Sequence, residues 1–404
     1  TNPAMKAYIV AALRTAAGRR NGLISHIHPA TLGAAVVDRL TKKIGMDGAL
    51  VDDVIFGCVT QVGSQTMNIG RNVVLASETL PVTVPGTTVD RQCGSSQQAI
   101  HFAAQAVMSG TQDVVIAGGA ESMSGVPMWS NMVDGKFGFP NSPEIQAKFG
   151  KEAIFSQFVG AEMVCSKFNI TRDAMDEFAV QSHAKAQAAT SAGKFQDEIV
   201  VLDGVKQKTG EQVKHDKDEG IRPGTSPESL AKLDSLVQLG QCPDMPGFGG
   251  GRITAGNASQ IADGAAAVMV CNEAGLKKLG VEPMAELTAM ALAGTDPVMM
   301  LSGPIPATEN LLRRAGKRIG DVDMYEVNEA FASIPMAWQL ALSADPARLN
   351  MLGGAIALGH PLGATGAKLM TTIVHELQRG RAKTALLAIC EGGGTANATL
   401  VERC

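Results

Sequence analysis

Part of this chain is written twice. Leu40–Val54 (LTKKIGMDGALVDDV) is echoed by Leu311–Met324 (LLRRAGKRIGDVDM), each reading as helix, connector, strand. Gln97–Gly118 is echoed by Thr365–Cys390, a helix pattern, a glycine break and an apolar strand. The offset is about 270 residues, too long for a solenoid, so one α/β unit has been duplicated. Two copies packed about a pseudo-twofold restrict the fold to two similar halves. They also place Cys93 of the first copy opposite His360 of the second, each just ahead of a helix. One shared site between two helix N-termini is the expectation.

Each half alternates strand and helix patterns. Tyr8–Ala12 reads as a strand, Ala30–Leu40 as a helix after Pro29, Val54–Val59 as a strand and Gly70 onward as a helix. Thr83–Val89 is a β-type run, and Asp113–Ala117 is an apolar strand. Such alternation predicts parallel βαβ units with helices on the sheet faces. The rhythm breaks from about residue 125. Helices are predicted over Ala153–Lys167 and Thr171–Ser191, followed by charged and Gly/Pro-rich stretches up to Gly251. The expected organisation is 1–120 with 251–272 as the N-terminal core half, 121–250 as an inserted loop domain, and 273–404 as the C-terminal half.

Four stretches carry chemistry. Cys93 lies between the Thr83–Val89 strand and a helix pattern with Ile100, Ala103, Ala104 and Val107 on one face. A cysteine at a helix N-terminus is expected to favour thiolate, because unpaired N–H groups and the positive dipole end face it. The plain alternative is a small buried cysteine in a bend. His360 stands among glycines (Gly353, Gly354, Gly359, Gly363, Gly366), exposed by tight turns and able to exchange protons or donate to an oxyanion. Cys390 ends an apolar strand before Gly392-Gly393-Gly394, whose amides can form an oxyanion hole. Asn328 ends another strand with its side-chain amide available.

Composition narrows the class. With 45% hydrophobic residues the chain buries a large core, and a net charge of -4 leaves no basic footprint for nucleic acid or an anionic membrane. Seven cysteines without regular spacing or a CxxC pair argue against disulfides and zinc, and for a reducing compartment. The first ten residues show no signal or transit pattern, so a soluble cytoplasmic protein is expected. His101, His183, His215 and His375 read as surface or core residues. Trp129 and Met299-Met300 are expected to pack rather than to line a binding tunnel.

Taken together, these blocks resemble the thiolase family, the β-ketoacyl-CoA thiolases and acetyl-CoA acetyltransferases, along nearly the whole chain. They include Cys93-Gly94-Ser95, Gly118-Gly119-Ala120-Glu121-Ser122-Met123-Ser124, Asn257-Ala258-Ser259, Asn328-Glu329-Ala330-Phe331-Ala332, Gly359-His360-Pro361-Leu362-Gly363 and Cys390 before the three glycines. The resemblance implies a five-layer αβαβα fold of two duplicated halves plus a loop domain. It implies reversible Claisen condensation and thiolysis of 3-ketoacyl-CoA, with Cys93 as acylated nucleophile and His360 as its activator. Asn328 would hold a water for the thioester oxyanion, Cys390 would be acid and base, and the Cys93 and Gly392 amides would form a second oxyanion hole. Ala255 and Ser259 would lie near the pantetheine. It implies acyl-CoA and CoA as substrates, no metal or bound organic cofactor, and a homodimer or homotetramer.

The chain departs from the family pattern at Ser96, where Gly is usual and a side chain is expected to crowd the acyl pocket. It departs also at Glu391, a charge between Cys390 and the glycines, and at Ala396. Ser156-Gln157-Phe158 stands where biosynthetic members carry His-Met-Gly; with Gln97-Gln98 it looks more like bacterial degradative thiolases, including those acting on steroid side chains. Two rivals remain at this stage. One is a ketoacyl synthase of the same fold, against which Cys390 speaks. The other is an acyl-CoA-binding scaffold subunit that has lost catalysis, for which Ser96 and Glu391 are the only encouragement.

Overall fold

The computed structural model describes residues 5–149 and 155–404. In chain order the first half contains β1 (Tyr8–Thr15), α1 (Pro29–Ile44), β2 (Asp53–Gly57), α2 (Ile69–Ala76), β3 (Gly86–Val89), α3 (Ser95–Met108) and β4 (Val114–Ser122). The excursion carries α4 (Gln157–Lys167) and α5 (Arg172–Ser191), after which β5 (Ala262–Cys271) returns to the sheet. The second half contains β6 (Ala285–Gly294), α6 (Pro304–Ala315), β7 (Met324–Val327), α7 (Ser333–Leu342), α8 (Thr365–Gln378), β8 (Thr384–Glu391) and β9 (Thr395–Arg403). Local chemistry explains many of the ends. Pro29 opens α1, His28 Nδ1 accepts from Ala30 N, and Gly45 closes the helix with φ +73°. The start expected at Ala153 lies outside the described residues.

The strands run β7-β8-β9-β6-β1-β5-β4-β2-β3. The halves have matching order, β6-β9-β8-β7 against β1-β5-β4-β2, and their strands join where β1 pairs β6 at Tyr8–Glu286 and Ile9–Ala285. A parallel sheet was expected, and the observed one is mixed. β2 is parallel to β3 and β4, and β7 to β8, whereas β5 and β9 run antiparallel to their neighbours. The reason is connection length: β9 follows β8 through a glycine turn too short for a crossover, and β5 re-enters from the excursion.

Alternation along the inner strands separates the layers. In β4, Val114 and Ile116 face α1 and α2, while Val115 and Ala117 face α3. In β8, Leu386 and Ala388 face α6 and α7, where Trp338 is fully buried, while Leu387 and Ile389 face α8. Helices α3 and α8 lie together in the middle, packing Ala99, Ala103 and Val107 with Met370, Ile373 and Leu377. The result is helices, strands, helices, strands, helices. The excursion is tied to β1 by Arg14, fully buried, with Glu198 Oε1 at 2.6 Å and both Asp218 oxygens at 2.7 and 3.0 Å. Breaking one partner of such a buried set strands a charge in the interior.

Candidate active site

The turn between β3 and α3 presents Cys93. Gln92 before it adopts φ +48°, an uncommon left-handed conformation, and Asp90 Oδ1 accepts from Gln92 N at 2.7 Å. Gly94 precedes the first helical residue, Ser95. Cys390 comes from the opposite end of the chain, one residue before the end of β8, where Gly393 and Gly394 turn with φ +78° and +79°. Cys93, Cys390 and Gly392 line one cavity of about 410 Å³ together with Trp129, Met132, Phe155, Met300 and Leu301.

A second cavity of about 170 Å³ contains His360, Ala255 and Ser259. Met128, Gln157 and Leu362 line both cavities, so the two are adjacent compartments. A third, containing Arg222, shares Ala255 and Gln260 with the second and leads outward. All the residues picked out from the sequence as a site therefore lie along one path, except Asn328, which reaches it through His360.

The state of His360 follows from its contacts. Thr365 Oγ1 donates to Pro361 O at 2.9 Å, so it accepts from His360 Nδ1 at 2.6 Å. Nε2 is then the unprotonated nitrogen, and Asn328 Nδ2 stands 3.4 Å from it, a long contact. Asn328 Oδ1 is buried without a protein partner. His360 was expected to be exposed, but it is buried; that burial, reinforced by Lys368, lowers it to about 3. The glycines thus serve close packing around the ring rather than exposure. The segment is held by Glu121, which accepts from Val59 N and Gly363 N at 2.9 and 2.8 Å and from Thr60 N at 3.0 Å.

The thiolate expected at Cys93 is not the form this environment favours. Burial, then Glu391, pushes its thiol up to about 12. Burial, then Cys93, raises Cys390 well above the ordinary thiol range. Desolvation outweighs the helix end because Cys93 precedes the helix instead of lying in its first turn. The ground state is neutral thiols in one compartment and a neutral imidazole in the adjoining one.

Two further readings are corrected. Ser96 does not crowd the cavity: it is fully buried, and its Oγ accepts from Ala367 N in the first turn of α8 at 3.0 Å. Trp129 and Met300 line the cavity instead of simply packing. Thr365 and Glu121 received no role from the sequence; only the general signal of a polar residue inside a glycine-rich block pointed to them. Gln157, singled out as a departure, stands where the two cavities join. Of the other histidines, His101 and His375 are buried and bonded, His101 to Thr399 Oγ1 at 2.7 Å and His375 to Ala12 O at 3.0 Å. Among the described residues, no group of three or more His, Cys, Asp or Glu side chains is placed to hold a metal ion, and no helix is long and apolar enough to cross a membrane.

Comparison with known proteins gives the same picture along the chain. The family model described as "Thiolase, N-terminal domain" matches residues 7–274, and "Thiolase, C-terminal domain" matches 281–403. A steroid 3-ketoacyl-CoA thiolase of Mycobacterium tuberculosis is 47% identical, covering 98% of this chain and 94% of its own. A 3-ketoacyl-CoA thiolase of Idiomarina loihiensis and an acetyl-CoA acetyltransferase of Pseudomonas aeruginosa are each 40% identical, covering 98% of both chains.

Proposed function

The chain belongs to the thiolase family and is an acyltransferase with thiolase activity, and from that premise we propose how its residues divide the reaction. In thiolysis the Cys93 thiol passes its proton to His360 Nε2 as Sγ attacks the 3-keto carbon. The oxyanion is met by the new Nε2–H and by a water on Asn328. The C2–C3 bond breaks, the enolate oxygen of the leaving acetyl-CoA is held by the amides of Cys93 and Gly392, and Cys390 protonates C2. Incoming CoA then gives its thiol proton to the Cys390 thiolate and attacks the acyl-Cys93 thioester. Cys93 leaves and recovers its proton from His360, so every group returns to its starting state. The two neutral thiols and the Nδ1–H tautomer match this cycle, which starts and ends uncharged.

The observation that carries the reading is that Cys93 and Cys390 line one cavity next to the compartment of His360. The compartment with Ala255 and Ser259 suits the pantetheine arm, and Arg222 at the outer end suits the CoA phosphates. The 121–250 segment, which supplies Trp129, Met132, Phe155 and Gln157, acts as the covering loop domain. Intact-mass analysis after mixing with acetyl-CoA tests the assignment. One acetyl group on Cys93, absent in Cys93→Ala, is expected; an unmodified protein would overturn it and favour the scaffold reading.

The acyl part of the substrate is large and apolar. An apolar cavity of about 410 Å³ is of the size that takes a drug-sized ligand, far more than an acetoacetyl group fills. The 47% identical relative is named for steroid substrates, and a polycyclic or branched 3-ketoacyl-CoA is the preferred class. A substrate panel decides: the highest kcat/KM on acetoacetyl-CoA would reject this part. All seven cysteines are free, which supports a reducing, cytoplasmic setting. Exposed Met67, Leu75 and Val82 near the edge strand β3 support a homodimer or homotetramer.

A further inference from the structure

Glu391, between the second thiol and the glycine turn, is fully buried at the end of β8. Its Oε2 accepts from Thr395 Oγ1 at 2.7 Å, while Oε1 has no partner. That oxygen is pressed onto the residue after Cys93: a Cβ on Gly94 would fall on Oε1 and stand 2.9 Å from Asn397 Oδ1. Asn397 Oδ1 also lacks a donor, because its amide nitrogen is committed to Gln98 Oε1 at 3.2 Å. Two buried acceptors therefore converge beside Gly94 with no protein hydrogen between them. Such acceptors are normally paired, and one proton on the carboxyl pairs both.

We propose that Glu391 is a positioning residue that works as a neutral acid, its Oε1–H donating to Asn397 Oδ1 and bracing the Cys93–Gly94 turn without placing negative charge beside either sulfur. This rests on the assignment of Cys93 and Cys390 as the reacting thiols and deepens it. The groups facing the carboxyl are Cys93 and Arg91 on the β3–α3 turn, Cys390 on its own strand, and Thr395 and Asn397 on β9. A carboxylate here opposes ionisation of both sulfurs, and burial keeps Glu391 protonated up to about pH 8. Above that, its ionisation holds the thiols back, which limits the enzyme on the alkaline side.

The test compares Glu391→Gln and Glu391→Ala in the full chain. A carboxamide still accepts from Thr395 and can donate to Asn397, so Glu391→Gln should keep kcat at pH 7 within about threefold. Its iodoacetamide labelling of Cys93 should go on rising about tenfold per pH unit above pH 8, where the wild type flattens. Glu391→Ala should lower kcat by about tenfold or more with KM little changed, because Asn397 loses its donor. The proposal is overturned if Glu391→Gln loses as much kcat as Ala, or if its labelling profile follows that of the wild type. Either result would mean an ionised carboxylate, paired by an Asn397 amide turned the other way. Should the Ala variant not fold, the labelling profile of the Gln variant decides alone. Acetylation of wild-type Cys93 is measured first: its absence defeats the thiol assignment, whereas its presence with an unchanged profile defeats only the role of Glu391.

Discussion

His360 Nδ1 stands 2.6 Å from Thr365 Oγ1, and the same hydroxyl donates to Pro361 O at 2.9 Å. A hydroxyl has one hydrogen, so the second bond settles the direction of the first and leaves Nε2 as the basic nitrogen. Thr365 is the first residue of α8, so the tautomer is set by the middle helical layer itself.

Removing that acceptor should disable the base without removing it. Thr365→Val is expected to lower kcat by about a hundredfold with KM changed less than about twofold, while Thr365→Ser restores most of the rate. Steady-state kinetics of both variants checks this. Equal losses in Val and Ser would point to packing rather than to the hydroxyl.

The buried histidines make stability depend on acid. His101 is lowered to about 3, chiefly by burial and then by Arg91, against about 6.5 in the unfolded chain. Its neutral form costs nothing above pH 6.5. As pH falls below that, the unfolded state takes a proton that the native state refuses, and native stability declines. Relative to pH 7, His101→Gln should therefore gain about 2 kcal/mol on the wild type at pH 5. Urea unfolding of both proteins at the two pH values measures it, and a constant difference would refute the buried neutral state.

Trp129 is 59% exposed yet lines the cavity of the two thiols, a place where a bound acyl group would cover it. Trp129→Ala is expected to cost about tenfold in kcat/KM on a polycyclic 3-ketoacyl-CoA and less than about twofold on acetoacetyl-CoA. Equal losses on the two substrates would remove Trp129 from the acyl path.

Ser96 is a tie between the two middle helices. Ser96→Ala leaves Ala367 N without its acceptor and should destabilise the fold by about 1–2 kcal/mol with kcat unchanged. Thermal melting and kinetics together test this. A change in acyl preference would show that the side chain reaches the cavity after all.

Much of this molecule was legible in the order of its residues. The echo of Leu40–Val54 in Leu311–Met324 survives as α1 leading to β2 and α6 leading to β7, because helix and strand periods are local. The helix expected from Thr171 is α5, which Thr171 caps, its Oγ1 accepting from Ala174 N. Antiparallel β5 and β9 were not legible: a strand's direction depends on where its connection re-enters the sheet. The partner of Ser96 was equally hidden, since Ala367 comes from the other copy.

By itself the sequence determined which chemical groups are present and which of them stand beside a glycine turn or ahead of a helix, since both follow from a few neighbouring residues. Only the tertiary structure decided their protonation. Thiol and imidazole are each kept neutral by layers drawn from remote parts of the chain, because the cost of a charge depends on what surrounds it in space. The same holds for Glu391, whose neighbours Thr395 and Asn397 lie on the next strand and whose carboxyl is packed against Gly94 of the opposite half.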